Sequence, residues 1–230
     1  MKNILITGAS KGIGYATALR FAQQGHQVFA LARSESKLEK LSKESVPGKI
    51  IPIAIDLTSQ KEIDILPQKL GTTFSIDILV NNAGALINKP FMDTDMDDWM
   101  HQLQVNLLAP VRLIKGIKGY LKKGSHIVNI GSMGGFQGSA KFPGLAAYSA
   151  SKGALSIFSE CLSTEFSEEG ISVNCLCLGA VQTEMLNEAF PGYKAPTQPE
   201  EMAGFIADFS LNARSYINGK VIPVALNNPG

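Results

Sequence analysis

The sequence has few of the features that mark secreted or metal-binding proteins. Its 230 residues include three cysteines, three histidines and one tryptophan. No cysteine or histidine has the spacing of zinc ligands, and an odd number of cysteines is typical of reduced thiols in the cytoplasm. We therefore expect no metal site and a cytoplasmic location. Cys175 and Cys177 lie in one apolar run, and we expect them to be buried small side chains on opposite faces of a strand.

Long apolar runs and a charge of one sign are also missing. No run approaches the ~18 apolar residues of a membrane-spanning helix, and the apolar run in residues 1–10 is too short for a signal peptide. The net charge of +1 gives no general attraction to nucleic acid or to anionic membranes. We expect a small-molecule partner, with neither nucleic acid nor a membrane involved.

Strand and helix patterns alternate along the whole chain. Apolar runs predict strands at 3–7, 27–32, 50–55, 76–81, 126–131, 171–178 and 220–224. Helical periodicity predicts helices at 12–24, 58–70, 97–121 and 146–168. This alternation predicts an α/β fold with a Rossmann-type, doubly wound parallel sheet of about seven strands and helices on both faces. No linker divides the chain, so we expect a single dinucleotide-binding domain over residues 1–230.

One segment, 184–197, breaks the regular pattern. It contains two prolines and has poor periodicity, which indicates a surface loop. The loop could be a substrate lid or an ordinary connection. Its apolar side chains, Met185, Leu186, Phe190 and Tyr193, favour a mainly apolar pocket.

A glycine-rich stretch follows the first predicted strand and opens the first helix. Gly8, Gly12 and Gly14 allow a tight turn and a close approach of backbone to a pyrophosphate. The free N–H groups at the start of the helix would then face the anion. The spacing differs from that of nucleotide-triphosphatase loops, so we predict a dinucleotide site.

The end of the second predicted strand bears on cofactor choice. A carboxylate there would bind a free ribose and repel a 2′-phosphate, but the chain has Ala32, followed by Arg33 and Ser34. Together with Lys11, these residues favour NADP(H) over NAD(H). Two alternatives remain: the cations could be merely solvated, or Arg33 could stack on the adenine.

Tyr148 and Lys152 are four residues apart on a predicted helix and share one face of it. By itself this pattern also fits an ordinary surface helix. A nearby ammonium would lower the pKa of a phenol, which is about 10 for free tyrosine. The pair could therefore move a proton near neutral pH.

The order of these motifs resembles that of the short-chain dehydrogenase/reductase family, including its NADP-preferring carbonyl reductases and 3-oxoacyl-carrier-protein reductases. The motifs are TGASKGIG (7–14), DL (56–57), NNAG (81–84), VNLLAP (105–110), IVNIGS (127–132) and YSASK (148–152). They span most of the chain in the order that the family shows.

The resemblance implies a role for each matching residue. It implies catalytic roles for Asn106, Ser132, Tyr148 and Lys152, with Tyr148 as general acid and base. The implied cofactor contacts are Gly8, Ser10, Lys11, Gly12, Ile13, Gly14, Arg33, Ser34, Asp56, Leu57, Asn82, Ala83, Gly84, Tyr148, Lys152, Val181 and Thr183.

These roles together predict an enzyme that uses NADPH to reduce a ketone or aldehyde of a small organic molecule reversibly. The resemblance also implies a homodimer or homotetramer. Two other functions use the same fold: a non-catalytic NADP(H)-binding sensor or scaffold, and a nucleotide-sugar epimerase or dehydratase. The first would be expected to lose one of the three catalytic residues, and the second needs a longer C-terminal segment.

The chain departs from the family pattern at three places. Leu178 precedes Gly179 where the family usually has proline, which leaves the placement of Val181 and Thr183 open. Ser132 and Tyr148 are sixteen positions apart, and the added residues could reshape the pocket and make Ser139 a rival to Ser132. The tail 222–230 lacks an Asp-Gly-Gly sequence, so its contacts are open as well.

Overall fold

Seven parallel strands form one sheet in this computed structural model, which describes residues 1–44, 46–71 and 75–226. The sheet order is β3-β2-β1-β4-β5-β6-β7. The strands are β1 (Asn3–Thr7), β2 (Gln27–Ala32), β3 (Lys49–Ala54), β4 (Ile76–Asn81), β5 (Leu121–Ser132), β6 (Ser172–Leu178) and β7 (Val221–Val224). The predicted Rossmann-type fold is confirmed.

Helices cover both faces of the sheet. They are α1 (Gly12–Gln23), α2 (Glu35–Ser42), α3 (Gln60–Leu70), α4 (Met96–Leu103), α5 (Ala109–Gly116), α6 (Ala146–Glu165), α7 (Glu184–Ala189) and α8 (Pro199–Asn212). Helices α1, α2 and α8 contribute to one apolar core. Helices α3, α5 and α6 contribute to the other.

Strand β1 shows why the strands are apolar at successive positions. Ile4 and Ile6 point into the core with α1, whereas Leu5 points into the opposite core. All three side chains have no exposed surface. Successive residues of a strand point to opposite faces, so a strand that is covered on both faces needs apolar residues at every position. This produces the continuous apolar runs seen in the sequence.

The strand order places a crevice between the ends of β1 and β4. After β3 the chain returns across β1 to begin β4 on its other side. The loops that follow β1 and β4 therefore lead away in opposite directions. Ligands of doubly wound sheets bind at such a point, beyond the carboxyl ends of the strands.

The prediction of one long helix over residues 97–121 is wrong. The segment divides into α4, a π turn at Gln104–Leu108, and α5. Pro110 has no N–H to donate to the carbonyl of Asn106, so a regular α-helix cannot continue through this point. The chain then enters β5 at Leu121, which pairs with Ile76 before the register shifts.

Two further differences concern helices. Helices α2 and α8 were not predicted, although Gln198 and Glu201 form a capping box at the start of α8. The segment 184–197 is not entirely a loop, because it begins with α7. The Thr183 side chain caps this short helix by accepting a hydrogen bond from the Leu186 N–H. Residues 227–230, the end of the tail considered above, lie outside the described residues.

Among the helices of the described residues, none is both long enough and apolar enough to cross a membrane.

Candidate active site

A cavity of about 1320 Å³ lies beyond the carboxyl ends of the strands. It brings together almost every predicted site residue. Those that line it are Gly8, Ser10, Lys11, Gly12, Ile13, Arg33, Ser34, Asp56, Leu57, Asn82, Ala83, Gly84, Ser132, Tyr148, Lys152, Val181 and Thr183. Gly14 and Asn106 are not among its lining residues and lie behind its walls.

The glycine loop forms one wall of the cavity. Its tight backbone has no room for side chains at several positions, and glycine occupies them. Gly8 and Gly12 have φ angles of 69° and 57°, which favour glycine. At Gly14 a Cβ atom would lie 2.3 Å from the Gly8 carbonyl oxygen. Gly14 therefore allows α1 to pack closely against the loop, rather than lining the cavity itself.

The start of α1 is suited to an anion. Lys11 is the N-cap residue, and among the described residues no side chain caps the first-turn N–H groups. These donors and the positive end of the helix dipole favour a phosphate. The residues present therefore fit the pyrophosphate of a dinucleotide.

Asn82 and Thr7 hold the two loops of the crevice together. Asn82 Nδ2 donates to the Thr7 carbonyl at 2.9 Å. In return, Thr7 Oγ1 accepts hydrogen bonds from the backbone N–H groups of Asn82 and Ala83. This link fixes the NNAG loop beside the glycine loop, which explains why an amide side chain serves well at this position.

One end of the cavity holds three cations, Lys11, Arg33 and Lys37, and two acids, Asp56 and Glu184. Ala32 is the last residue of β2, and Arg33 follows it directly in the chain. Arg33 and Lys11 of the glycine loop both line the cavity. Lys37 also lines this end and was missed by the sequence reasoning. It lies in the first turn of α2, and the signal that could have revealed it was the pattern Ser34, Leu38 and Leu41 that begins this helix.

At the other end, strand β5 and helix α6 position the proposed catalytic residues. Ser132 is the last residue of β5, and its backbone continues into a short 3₁₀ turn. Tyr148 and Lys152 lie one turn apart on α6. Lys152 is almost completely buried, at 5% exposure, and its Nζ donates to the Ile130 carbonyl at 2.8 Å.

The pKa of Tyr148 does not follow our expectation. Burial raises it, hydrogen bonding with Ser132 lowers it, and the charge of Cys177 raises it, with a net increase above the ordinary value. The expected decrease caused by Lys152 is therefore wrong for the chain by itself. Burial also lowers the pKa of Lys152, to about 8. A phenol with a raised pKa stays protonated at neutral pH, and it is a weaker acid than free tyrosine.

Asn106 lies inside the π turn and is fully buried. Its side chain donates to the Ala85 carbonyl and to Ser151 Oγ, both at 2.9 Å, and accepts from the Ala85 N–H at 2.8 Å. A Cβ placed on Gly84 would lie 3.2 Å from Asn106 Oδ1 and 3.4 Å from Lys152 Nζ. Both side chains therefore reach the same point, beside Gly84 in the cavity wall.

Two thiols lie behind the proposed catalytic residues. We expected Cys175 and Cys177 on opposite faces of a strand, but alternate residues share one face. Both thiols face Ser156 Oγ, at 3.7 and 3.6 Å, over the space that Gly131 leaves open. Both side chains are fully buried, as expected.

The substrate side of the cavity is apolar. Met185, Leu186, Phe190 and Tyr193 of the 184–197 segment all line it, as the sequence suggested. The added residues between Ser132 and Tyr148 contribute Phe142 and Leu145 to the same wall. Ser139 is not a lining residue, and its hydroxyl donates to the Phe136 carbonyl at 2.9 Å.

The loop with Leu178 in place of proline is nevertheless held in position. The Gly179 N–H donates to the Val224 carbonyl at 2.8 Å, and Val181 pairs with Thr197. These contacts hold the loop without the ring of a proline, and Val181 and Thr183 lie in the cavity wall.

Comparison with known proteins supplies what the geometry alone does not name. The model of the short chain dehydrogenase family matches residues 2–194. The chain belongs to this family. A 3-oxoacyl-[acyl-carrier-protein] reductase from Thermotoga maritima is 32% identical over 239 aligned residues, which cover 97% of this chain and 96% of the relative.

Solved structures of this family share the fold. A short chain dehydrogenase from Burkholderia cenocepacia in complex with NADP has a TM-score of 0.89 and 25% identity, with 100% of this chain and 98% of that chain covered. A 3-oxoacyl-[acyl-carrier protein] reductase from Brucella melitensis with bound NAD has a TM-score of 0.84 and 25% identity, covering 97% and 89%. The short-chain dehydrogenase described here is an oxidoreductase that acts on CH–OH or C=O groups.

Proposed function

We propose that this short-chain dehydrogenase reduces a ketone or aldehyde of a small organic molecule at the expense of NADPH. The observation that carries the proposal is the meeting of Ser132, Tyr148 and Lys152 in one cavity that Lys11, Arg33 and Lys37 also line. The apolar wall favours a substrate with an apolar body. The free thiols of Cys161, Cys175 and Cys177 suit a cytoplasmic location.

Each part of the cavity has a role in binding the cofactor. The residues of the glycine loop and the first turn of α1 hold its pyrophosphate. Asp56, Leu57 and Ala83 lie where the loops after β3 and β4 border the cavity, and they enclose its adenosine part. Val181 and Thr183 border its nicotinamide part. When bound, the cofactor supplies the hydride that reduces the carbonyl carbon.

The chain's own side chains then supply the proton and orient the substrate. The Ser132 hydroxyl donates a hydrogen bond to the carbonyl oxygen and stabilises its developing negative charge. Tyr148 Oη gives its proton to the same oxygen. Lys152 lies one helical turn away on α6, where its ammonium would bind the nicotinamide ribose of the cofactor. Asn106 holds the backbone of residue 85 in place behind this group.

Three cations that line one end of the cavity support NADPH over NADH. Lys11, Arg33 and Lys37 line it, and no carboxylate follows Ala32 directly in the chain. One relative structure holds NADP and another holds NAD, so the choice rests on these residues. A hydrogen bond to a charged group contributes roughly 1.5–3 kcal/mol, and about 1.4 kcal/mol is tenfold in affinity.

Binding measurements test this preference. Arg33→Ala should weaken NADPH binding by about tenfold to a hundredfold and leave NADH nearly unchanged, because only NADPH carries the 2′-phosphate. Dissociation constants of both cofactors for wild type and variant, measured by calorimetry, decide the matter. An equal loss for the two cofactors would mean that Arg33 stacks on the adenine instead.

A panel of ketones and aldehydes tests the reaction itself. Oxidation of NADPH in the presence of the purified protein should depend on at least one carbonyl compound with an apolar body. Tight NADPH binding without turnover of any member would favour a cofactor sensor or scaffold over the proposed reductase.

A further inference from the structure

An ion pair connects the glycine loop to the helix of the 184–197 segment. Lys11 Nζ lies 3.0 Å from Glu184 Oε2 and 4.0 Å from Glu188 Oε1. Lys11 is the N-cap residue of α1, and Glu184 is the first residue of α7. Hydrogen bonding and the charge of Lys11, with a smaller effect of Lys37, lower the pKa of Glu184.

Lys11 and Glu184 border the place where the 2′-phosphate of the cofactor is expected. Lys11, Arg33, Lys37 and Glu184 all line the same cavity. An ammonium that already has a carboxylate at 3.0 Å is only partly available to another anion. A phosphate monoester carries close to two negative charges at neutral pH and is therefore a stronger competitor than one carboxylate.

We propose that Glu184 is a specificity-determining residue that competes with the 2′-phosphate of the cofactor for Lys11. When the phosphate binds, Lys11 turns to it and releases Glu184. NADH has no 2′-phosphate and leaves the ion pair in place. The inference rests on the proposed function, since it requires that NADP(H) binds in this cavity.

The ion pair also links cofactor choice to the segment over the substrate side. At the opposite end of α7, Asn88 Nδ2 donates to the Ala189 carbonyl at 2.8 Å. The helix is thus held at its start by the glycine loop and at its end by the loop that follows β4. When Lys11 turns to the phosphate, its contacts with Glu184 and Glu188 are both lost, and the attachment at Ala189 remains. The phosphate on one side of the cavity thereby changes how firmly the substrate side is covered.

The expected effect is small because the pair is exposed. The Lys11 and Glu184 side chains are 40% and 59% exposed, and such pairs contribute little. Glu184→Gln should therefore strengthen NADPH binding by about two- to fivefold and leave NADH binding unchanged. The effect should decrease at high salt, which screens exposed charges.

A double-mutant cycle by calorimetry tests whether the effect passes through Lys11. NADPH and NADH are titrated into wild type, Glu184→Gln, Lys11→Ala and the double variant. We expect the gain for NADPH from Glu184→Gln to disappear in the Lys11→Ala background. The control Glu200→Gln changes an exposed acid in the first turn of α8 and should affect neither cofactor. An equal gain for both cofactors, or the same gain without Lys11, would overturn the inference.

Hydrogen exchange tests the link to α7. The backbone of residues 184–189 should exchange faster in the NADPH complex than in the NADH complex, and Glu184→Gln should remove that difference. Equal exchange in the two wild-type complexes would contradict the proposed release. Failure of NADPH to bind wild type would overturn the proposed function, whereas equal NADPH affinity of wild type and Glu184→Gln would overturn this inference alone.

Discussion

At the scale of single residues, burial shifts the pKa values of two side chains in the proposed active site. Burial raises the pKa of Tyr148 and lowers that of Lys152 to about 8, and both side chains stay protonated at neutral pH. The sequence placed both residues on one helix face, but it could not show the depth at which they lie. Depth is a property of the packed sheet and helices, and here it reversed the expected direction for Tyr148.

His126 provides a test of burial away from the cavity. It is fully buried, with Nδ1 2.9 Å from the Ser210 carbonyl and Nε2 3.0 Å from Asn174 Nδ2. Burial lowers its pKa to about 4, from 6.5 in the unfolded chain. The unfolded chain therefore takes up a proton first as the pH falls, and the folded state loses stability between about pH 6.5 and pH 4.

This titration of His126 predicts a loss of about 3 kcal/mol in the free energy of unfolding over that range. His126→Gln should lack this part of the acid dependence, which denaturant unfolding at several pH values would measure. The exposed His101 provides the control, since His101→Gln should keep the wild-type dependence. Identical pH dependence of wild type and His126→Gln would show that the histidine is not held neutral by burial.

At the scale of elements, the bounds of most strands were predicted to within about one residue, because continuous apolar runs identify strands covered on both faces. The start of β5 was missed, since residues 121–125 pair only across a register shift. The break near Asn106 was also missed. It depends on Pro110 and on polar contacts with residues distant in the chain, which helical periodicity does not report. Lys37 was overlooked because its helix was overlooked.

The π turn offers a prediction at this scale. Asn106→Ala removes hydrogen bonds to both backbone groups of Ala85 and to Ser151. Leaving such groups unpaired should lower the free energy of unfolding by roughly 2–4 kcal/mol. Asn212→Ala, at the exposed end of α8, removes a bond to the Asp208 carbonyl and should cost much less. Equal, small losses for both variants would contradict the structural role of Asn106.

At the scale of the whole molecule, exposed apolar side chains suggest that copies of the chain assemble. Met92, Met96 and Met100 are 86%, 71% and 44% exposed at four-residue spacing, and Ile157 on α6 is 61% exposed. Leu162, five residues further along α6, belongs instead to the chain's own core. Burying the exposed groups between two copies would remove apolar surface from water.

We predict a homodimer or homotetramer, which analytical ultracentrifugation at micromolar concentration should detect. Met96→Glu combined with Ile157→Glu should shift the population toward monomer, because a charge buried at an interface is costly. Glu200→Gln serves again as a surface control. Only monomer in the wild-type protein would contradict the prediction.

The proposed reaction requires that Tyr148 gives the proton when the carbonyl is reduced. Single-turnover reduction of a substrate from the carbonyl panel by bound NADPH, in wild type and Tyr148→Phe, tests it most directly. Phenylalanine keeps the ring that packs in the cavity and removes only the hydroxyl. The variant should bind NADPH as tightly as wild type and transfer hydride about 10²- to 10⁴-fold more slowly, which is the usual contribution of general acid catalysis. A near-normal rate in Tyr148→Phe would contradict the account.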